Sequence, residues 1–139
     1  MPSLTPLRRS TCYALLSLAD PQPGDVVLDS MAGCAGISIE GAESFPSCFH
    51  IAAELSMSDC LNSRHNIRAL RASAADVWNS DARYLPLKDG SVDAVIVDLP
   101  FGNRHGSHAQ NTRWRKCSCY CSCSCSCCCS CCRSCCRSC

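Results

Sequence analysis

Residues 26–42 read VVLDSMAGCAGISIEGA, and three kinds of local structure follow one another within them. Val26, Val27 and Leu28 are consecutive apolar residues, the pattern of a parallel strand covered on both faces. Asp29 ends the apolar run where the strand reaches its carboxyl edge. Gly33 and Gly36 let the backbone turn tightly, and Ile37, Ile39 and Glu40 continue in a helical pattern. In an open α/β sheet, ligands bind in the crevice outside the carboxyl ends of the strands. A carboxylate followed by a glycine turn at that edge is a candidate nucleotide-type site.

The turn is not a phosphate cradle. It lacks the Gly-Lys-Ser/Thr close of a Walker loop, and Gly33, Gly36 and Gly41 do not fit the G-x-G-x-x-G spacing. An acid placed before the glycines suits a ligand that carries a cationic amine and no phosphate. S-Adenosylmethionine has that chemistry.

The flanking chain reads as alternating helices and strands. A helix capped by Ser10 or Thr11 is expected to end before Pro21 and to pack Leu15, Leu16 and Leu18 on the sheet. Pro21-Gln22-Pro23-Gly24 is a turn into the first strand. A helix over 36–43 follows, then a strand over 48–53 that meets Glu54. The spacing over 58–72 predicts a third helix, with Leu61, Ile67 and Leu70 inward and Arg64, Arg68 and Arg71 on the wetter side. Strands are expected over 75–79, followed by Asp81, and over 91–97, followed by Asp98-Leu99-Pro100-Phe101-Gly102. This order predicts an α/β fold with a largely parallel sheet and right-handed crossovers.

Four strands would then each end beside an acid: Asp29, Glu54, Asp81 and Asp98. Gathering negative charge on one edge is costly, which suggests a polar ligand that offsets it. Glu54 follows Asp29 by one strand, the position from which a carboxylate accepts hydrogen bonds from ribose hydroxyls. Asp81 is a candidate acceptor for an adenine amine, or equally a cap or turn residue. Asp98-Leu99-Pro100-Phe101 resembles the Asn/Asp-Pro-Pro-Tyr/Phe loop of methyltransferases that act on exocyclic amines of bases. An acid and a backbone carbonyl accept hydrogen bonds from a planar amino group, proline stiffens the turn, and the aromatic ring stacks on an extruded base.

Three stretches together, LRRSTCYALLSLADPQPGDVVLDSMAGCAGISIEGA, Asn66-Ile67 and LPLKDGSVDAVIVDLPFGNRHGS, are similar to the THUMP-domain tRNA guanine-N2-methyltransferases. The resemblance implies a Rossmann-like fold that uses S-adenosylmethionine to methylate a guanosine amine in tRNA, working with a small zinc-binding activator subunit. It places cofactor binding on Asp29, Gly33, Glu54 and Asp81 and base handling on Asp98, Leu99, Pro100 and Phe101. Two residues depart from the pattern. Ser30 stands for a proline, and Ala35 for a glycine whose positive φ would cost an alanine about 1 kcal/mol or more.

The chain has 139 residues, with 13 Lys+Arg against 12 Asp+Glu, so no strongly basic field announces a nucleic-acid partner. Residues 1–111 read as a partial methyltransferase domain, the N-terminal half of the fold, with the fourth strand at an exposed edge of the sheet. Residues 112–139 read as a low-complexity, disordered tail. Of 17 cysteines, 13 lie in the last 23 residues, CSCYCSCSCSCCCSCCRSCCRSC. Soft-metal binding, disulfide linkage and a translated nucleotide repeat are the readings of this tail, the last being the expectation. The sparse cysteines of the body point to a cytoplasmic protein, and no metal site is assigned there. No apolar run approaches the ~20 residues that span a bilayer.

Overall fold

The computed structural model describes residues 6–98. Seven elements follow in order: α1 (Arg9–Ala19), β1 (Val26–Asp29), α2 (Gly36–Ser44), β2 (Phe49–Glu54), α3 (Met57–Ala69), β3 (Ala75–Asn79) and β4 (Ala94–Val95). The strands form one parallel sheet in the order β3-β2-β1-β4. This is the expected α/β architecture, with β1 inside and β4 paired only with β1 among the described residues. Leu99, Pro100, Phe101, the end of the body at 111 and the whole of 112–139 lie outside the described residues.

The two faces of the sheet are covered differently. Val27, Ala52, Val77 and Ala94 face the helices, where Cys12 and Leu16 of α1, Ile37 of α2 and Cys60 of α3 are buried against them. Leu28, Ile51 and Ala53 face the other way, under Val92, Leu85 and Leu87 of the segment that joins β3 to β4. Both faces are apolar because both are covered, which is why β1 and β2 read as unbroken runs.

Expectations for three elements are corrected. α1 begins after Arg8, which makes no side-chain cap, rather than at a Ser10 or Thr11 cap. Cys12 and Leu16, four residues apart, share its buried face, and Leu18, half a turn away from Leu16, is 77% exposed. In α3 the inward face is Cys60, Ser63 and Ile67, whereas Leu61 and Leu70 point outward. α3 also stops three residues early: the Arg71 N–H donates to Arg68 O and the Ala72 N–H to Ile67 O, a Schellman closure with Arg71 left-handed at φ 53°. β4 is shorter than 91–97, pairing only Ala94 with Val27 and Val95 with Leu28 among the described residues. Even so, Asp93 N–H donates to Val26 O and Ile96 N–H to Leu28 O on either side of it.

α1 is tied to α2 at their surface. The Arg9 guanidinium donates to Glu40 at 2.8 Å and also pairs with Glu43, while the Ser44 hydroxyl donates to Glu40 Oε1 at 2.7 Å. Burial alone would raise the Glu40 carboxyl; Ser44 and Arg9 outweigh it and hold the group below the usual range. Deeper in the same layer, His50 of β2 is fully buried against Gly41 of α2. A Cβ at Gly41 would lie 2.3 Å from His50 Nδ1, so glycine is what lets α2 settle on the sheet.

Candidate functional site

Strand order reverses at β1: β2 and β3 lie to one side of it and β4 to the other. That reversal opens a crevice beyond the carboxyl end of β1, the position where doubly wound sheets hold ligands. Asp29 is the last residue of β1 and is 3% exposed. Ala52 stands opposite Asp29 in the register, so Glu54 is two residues further along β2. On the other side Val95 stands opposite Leu28, and Asp98 follows Val95 by three residues. Glu54 and Asp98 therefore flank the turn that leaves Asp29.

Electrostatics records the same grouping. Burial pushes the Asp29 carboxyl up to about 7; the Met31 N–H, which donates to Oδ1 at 3.2 Å, opposes this, and the negative charges of Asp98 and Glu54 add to it. A carboxylate this buried, with two others near it, is matched best by a cation.

The glycine turn is held by hydrogen bonds from two elements, β2 and α3. Gly33 is left-handed at φ 53° and donates its N–H to Glu54 Oε2 at 2.9 Å, while the Ser56 N–H donates to Glu54 Oε1 at 2.8 Å. Glu54 thus closes β2 onto both the turn and the start of α3. The Ala32 N–H donates to Ala53 O at 3.0 Å. From α3, the buried Ser63 hydroxyl donates to Gly33 O at 2.7 Å, and Asn66 Nδ2 donates to Cys34 O at 3.4 Å. Ala35 has φ 63° and is fully buried, so the strain expected of a non-glycine residue there is present.

Asp81 lies two residues beyond β3, and Arg83 grips its carboxylate through Nε and Nη2. Hydrogen bonding from Arg83 holds the Asp81 carboxyl below its ordinary range. Asp29, Gly33, Glu54 and Asp98 come together, whereas Asp81 is engaged with its own cation. Leu99, Pro100 and Phe101, the remainder of the base-handling motif, are outside the described residues. Sequence reasoning missed Ser63 and the role of Asn66. The available signal was polarity on the inward face of α3, since a buried hydroxyl demands a partner.

A family model described as "RMKL-like, methyltransferase domain" matches residues 2–118. Human tRNA (guanine(6)-N(2))-methyltransferase THUMP3 is 37% identical over 119 residues, covering 77% of this chain and 24% of that protein. The mouse U6 snRNA (guanine-N(2))-methyltransferase THUMPD2 is 33% identical over 99 residues, covering 70% and 19%. The crystal structure of TrmN from Thermus thermophilus superposes with a TM-score of 0.60 at 29% identity, covering 69% of this chain and 29% of that one. An RNA methyltransferase from Salinibacter ruber, crystallised with S-adenosyl-L-homocysteine, reaches a TM-score of 0.62 at 20% identity over 69% and 61% of the two chains, a likeness of fold. The chain spans about a quarter of the length of the curated relatives it matches first. The resemblance drawn from the sequence is met at the level of the methyltransferase domain. With the family match running across all seven described elements, this chain belongs to the RMKL-like methyltransferase domain family.

Proposed function

We propose that the crevice at the carboxyl end of β1 binds S-adenosylmethionine and serves methyl transfer to the N2 amine of a guanosine in RNA, a tRNA or a small nuclear RNA. The observation that carries this reading is the buried Asp29 at the reversal of strand order, with Glu54 at the end of the neighbouring strand and Asp98 beyond the other. The donor set fits the cofactor. Asp29 offers negative charge to its ammonium and sulfonium. The Gly33 turn leaves backbone close to that charge, and Glu54, whose two oxygens each hold one N–H, keeps lone pairs for ribose hydroxyls. Asp81 serves the adenine amine only by releasing Arg83.

S-Adenosylmethionine supplies, when bound, a methyl group on an electron-poor sulfur. The chain's part is positioning. Asp98 would accept a hydrogen bond from the guanine amine, orient it toward the cofactor and take the proton that the amine sheds on methylation. The rest of the motif, Leu99, Pro100 and Phe101, would serve base handling as the resemblance implies.

The test is transfer of a radiolabelled methyl group from S-adenosylmethionine to unmodified tRNA and U6 snRNA transcripts, followed by nucleoside analysis. N2-Methylguanosine that appears with the chain and is lost in Asp98→Ala supports the reading. Label on another nucleoside, or none with either RNA, contradicts it.

A further inference from the structure

Among the described residues β3 forms the outer edge of the sheet on the side away from β4, and at its middle residue that edge is already engaged. The Val77 N–H donates to Asp76 Oδ1 at 2.8 Å, and the Val77 carbonyl accepts from Arg64 Nη2 at 3.2 Å. Side chains thus occupy the edge groups that strand addition would need. Beside this edge runs a cleft of about 560 Å³ between α3 and β3. Arg64, Arg68 and Arg71 line it from α3 and its closing turn, and Trp78 forms part of its wall.

The cleft has the electrostatics of an anion site. Three arginines and a single acid, Asp76, line it, and the Asp76 oxygens are engaged by the Val77 N–H and by Trp78 Nε1 at 3.0 Å. Neither Arg68 nor Arg71 forms an ion pair among the described residues. Arg71 also holds the left-handed position that closes α3, where glycine is the favoured residue. A strained arginine that lines a cleft is a reason to look for a ligand there. The helical rise sets Arg64 and Arg71 roughly 10 Å apart along the axis of α3 and its closing turn, a span that exceeds a single phosphate group. Guanidinium forks match phosphate oxygens in pairs.

We propose that the cleft between α3 and β3, lined by Arg64, Arg68 and Arg71 with Trp78 in its wall, docks the phosphodiester backbone of the RNA whose base enters the crevice at β1. It rests on the reading of that crevice as an RNA methyl-transfer site and adds a second, sequence-independent contact on a different part of the sheet.

The test is fluorescence anisotropy of a short labelled RNA hairpin, titrated with the full chain at several salt concentrations, with S-adenosylmethionine affinity measured in parallel. The double variant Arg68→Gln/Arg71→Gln is expected to weaken hairpin binding about tenfold or more. It should also lower the slope of log K against log salt by roughly 1.4–1.8, the loss of two phosphate contacts. Cofactor affinity stays unchanged. Arg71→Gly is expected to raise Tm by relieving the left-handed arginine, yet to lower the same slope by roughly 0.7–0.9, so weaker binding is not read as unfolding. An unchanged affinity and slope in both variants overturns the proposal, as does a wild-type chain that leaves the hairpin free. Hairpin binding with the expected slopes but no cofactor binding overturns the methyl-transfer reading while supporting the anion contact.

Discussion

Replacing Asp29 with asparagine separates what this residue does for folding from what it does for binding. The folded carboxyl titrates at about 7, against an ordinary 3.8. Its folded pKa lies above the unfolded one, so between about pH 4 and pH 7 the folded chain binds more protons and stability falls as pH rises. At about 1.4 kcal/mol per pH unit, the buried charge costs about 4 kcal/mol at pH 8 and under 2 kcal/mol at pH 5. The asparagine side chain would keep an oxygen for the Met31 N–H, now held at 3.2 Å, and would carry no charge. Asp29→Asn is therefore expected to raise Tm by roughly 15 °C at pH 8 and by well under half of that at pH 5, at about 4 °C per kcal/mol for a chain of this size. The same variant is expected to lose S-adenosylmethionine affinity by at least tenfold. Thermal unfolding followed by circular dichroism at the two pH values reads the first effect. Equal Tm for variant and wild type at pH 8, or a gain that grows toward acid, would show that the buried Asp29 charge does not cost stability.

Three further substitutions probe the packing that holds the turn. Ala35→Gly relieves a left-handed alanine by about 1 kcal/mol and removes a buried methyl worth about 0.8 kcal/mol. Its Tm should stay within roughly 3 °C of wild type while cofactor affinity holds or improves; a large fall would mean that methyl packing dominates. Gly41→Ala drives a Cβ into His50 and is expected to cost about 3 kcal/mol in urea unfolding. His50→Ala should recover at least 1 kcal/mol of that in the double variant, and full additivity would deny the contact. Ser63→Ala leaves the Gly33 carbonyl without its hydroxyl donor and should cost about 1–2 kcal/mol with a parallel loss of cofactor affinity. Unchanged affinity would detach α3 from the turn.

The strands were legible because their signal is local. Largely apolar runs at β1 and β2, each closed by an acid, need no knowledge of tertiary contacts, and they put Asp29 and Glu54 at strand ends. The positive φ at Ala35 was legible from the resemblance, since a glycine is expected there. What stayed hidden depends on three-dimensional partners. Ser63 and Asn66 look like solvated polar residues on α3 until the glycine turn is folded beneath them. Leu61 and Leu70 look like core residues, yet the inward face is set by small Cys60 and Ser63, which let α3 lie close to β2 and β3. The Arg83 grip on Asp81 is a contact two residues away that helical or strand patterning does not report.

The central claim is that Asp29 and Glu54, at neighbouring strand tips, hold the methyl donor. Isothermal titration of the full chain with S-adenosylmethionine at pH 8 and pH 6, with Glu54→Ala beside wild type, tests it most directly. Saturable one-site binding is expected at pH 8, about tenfold weaker at pH 6 as Asp29 takes up a proton, and at least tenfold weaker in Glu54→Ala. No saturable binding at pH 8, or equal affinity under all three conditions, would contradict it.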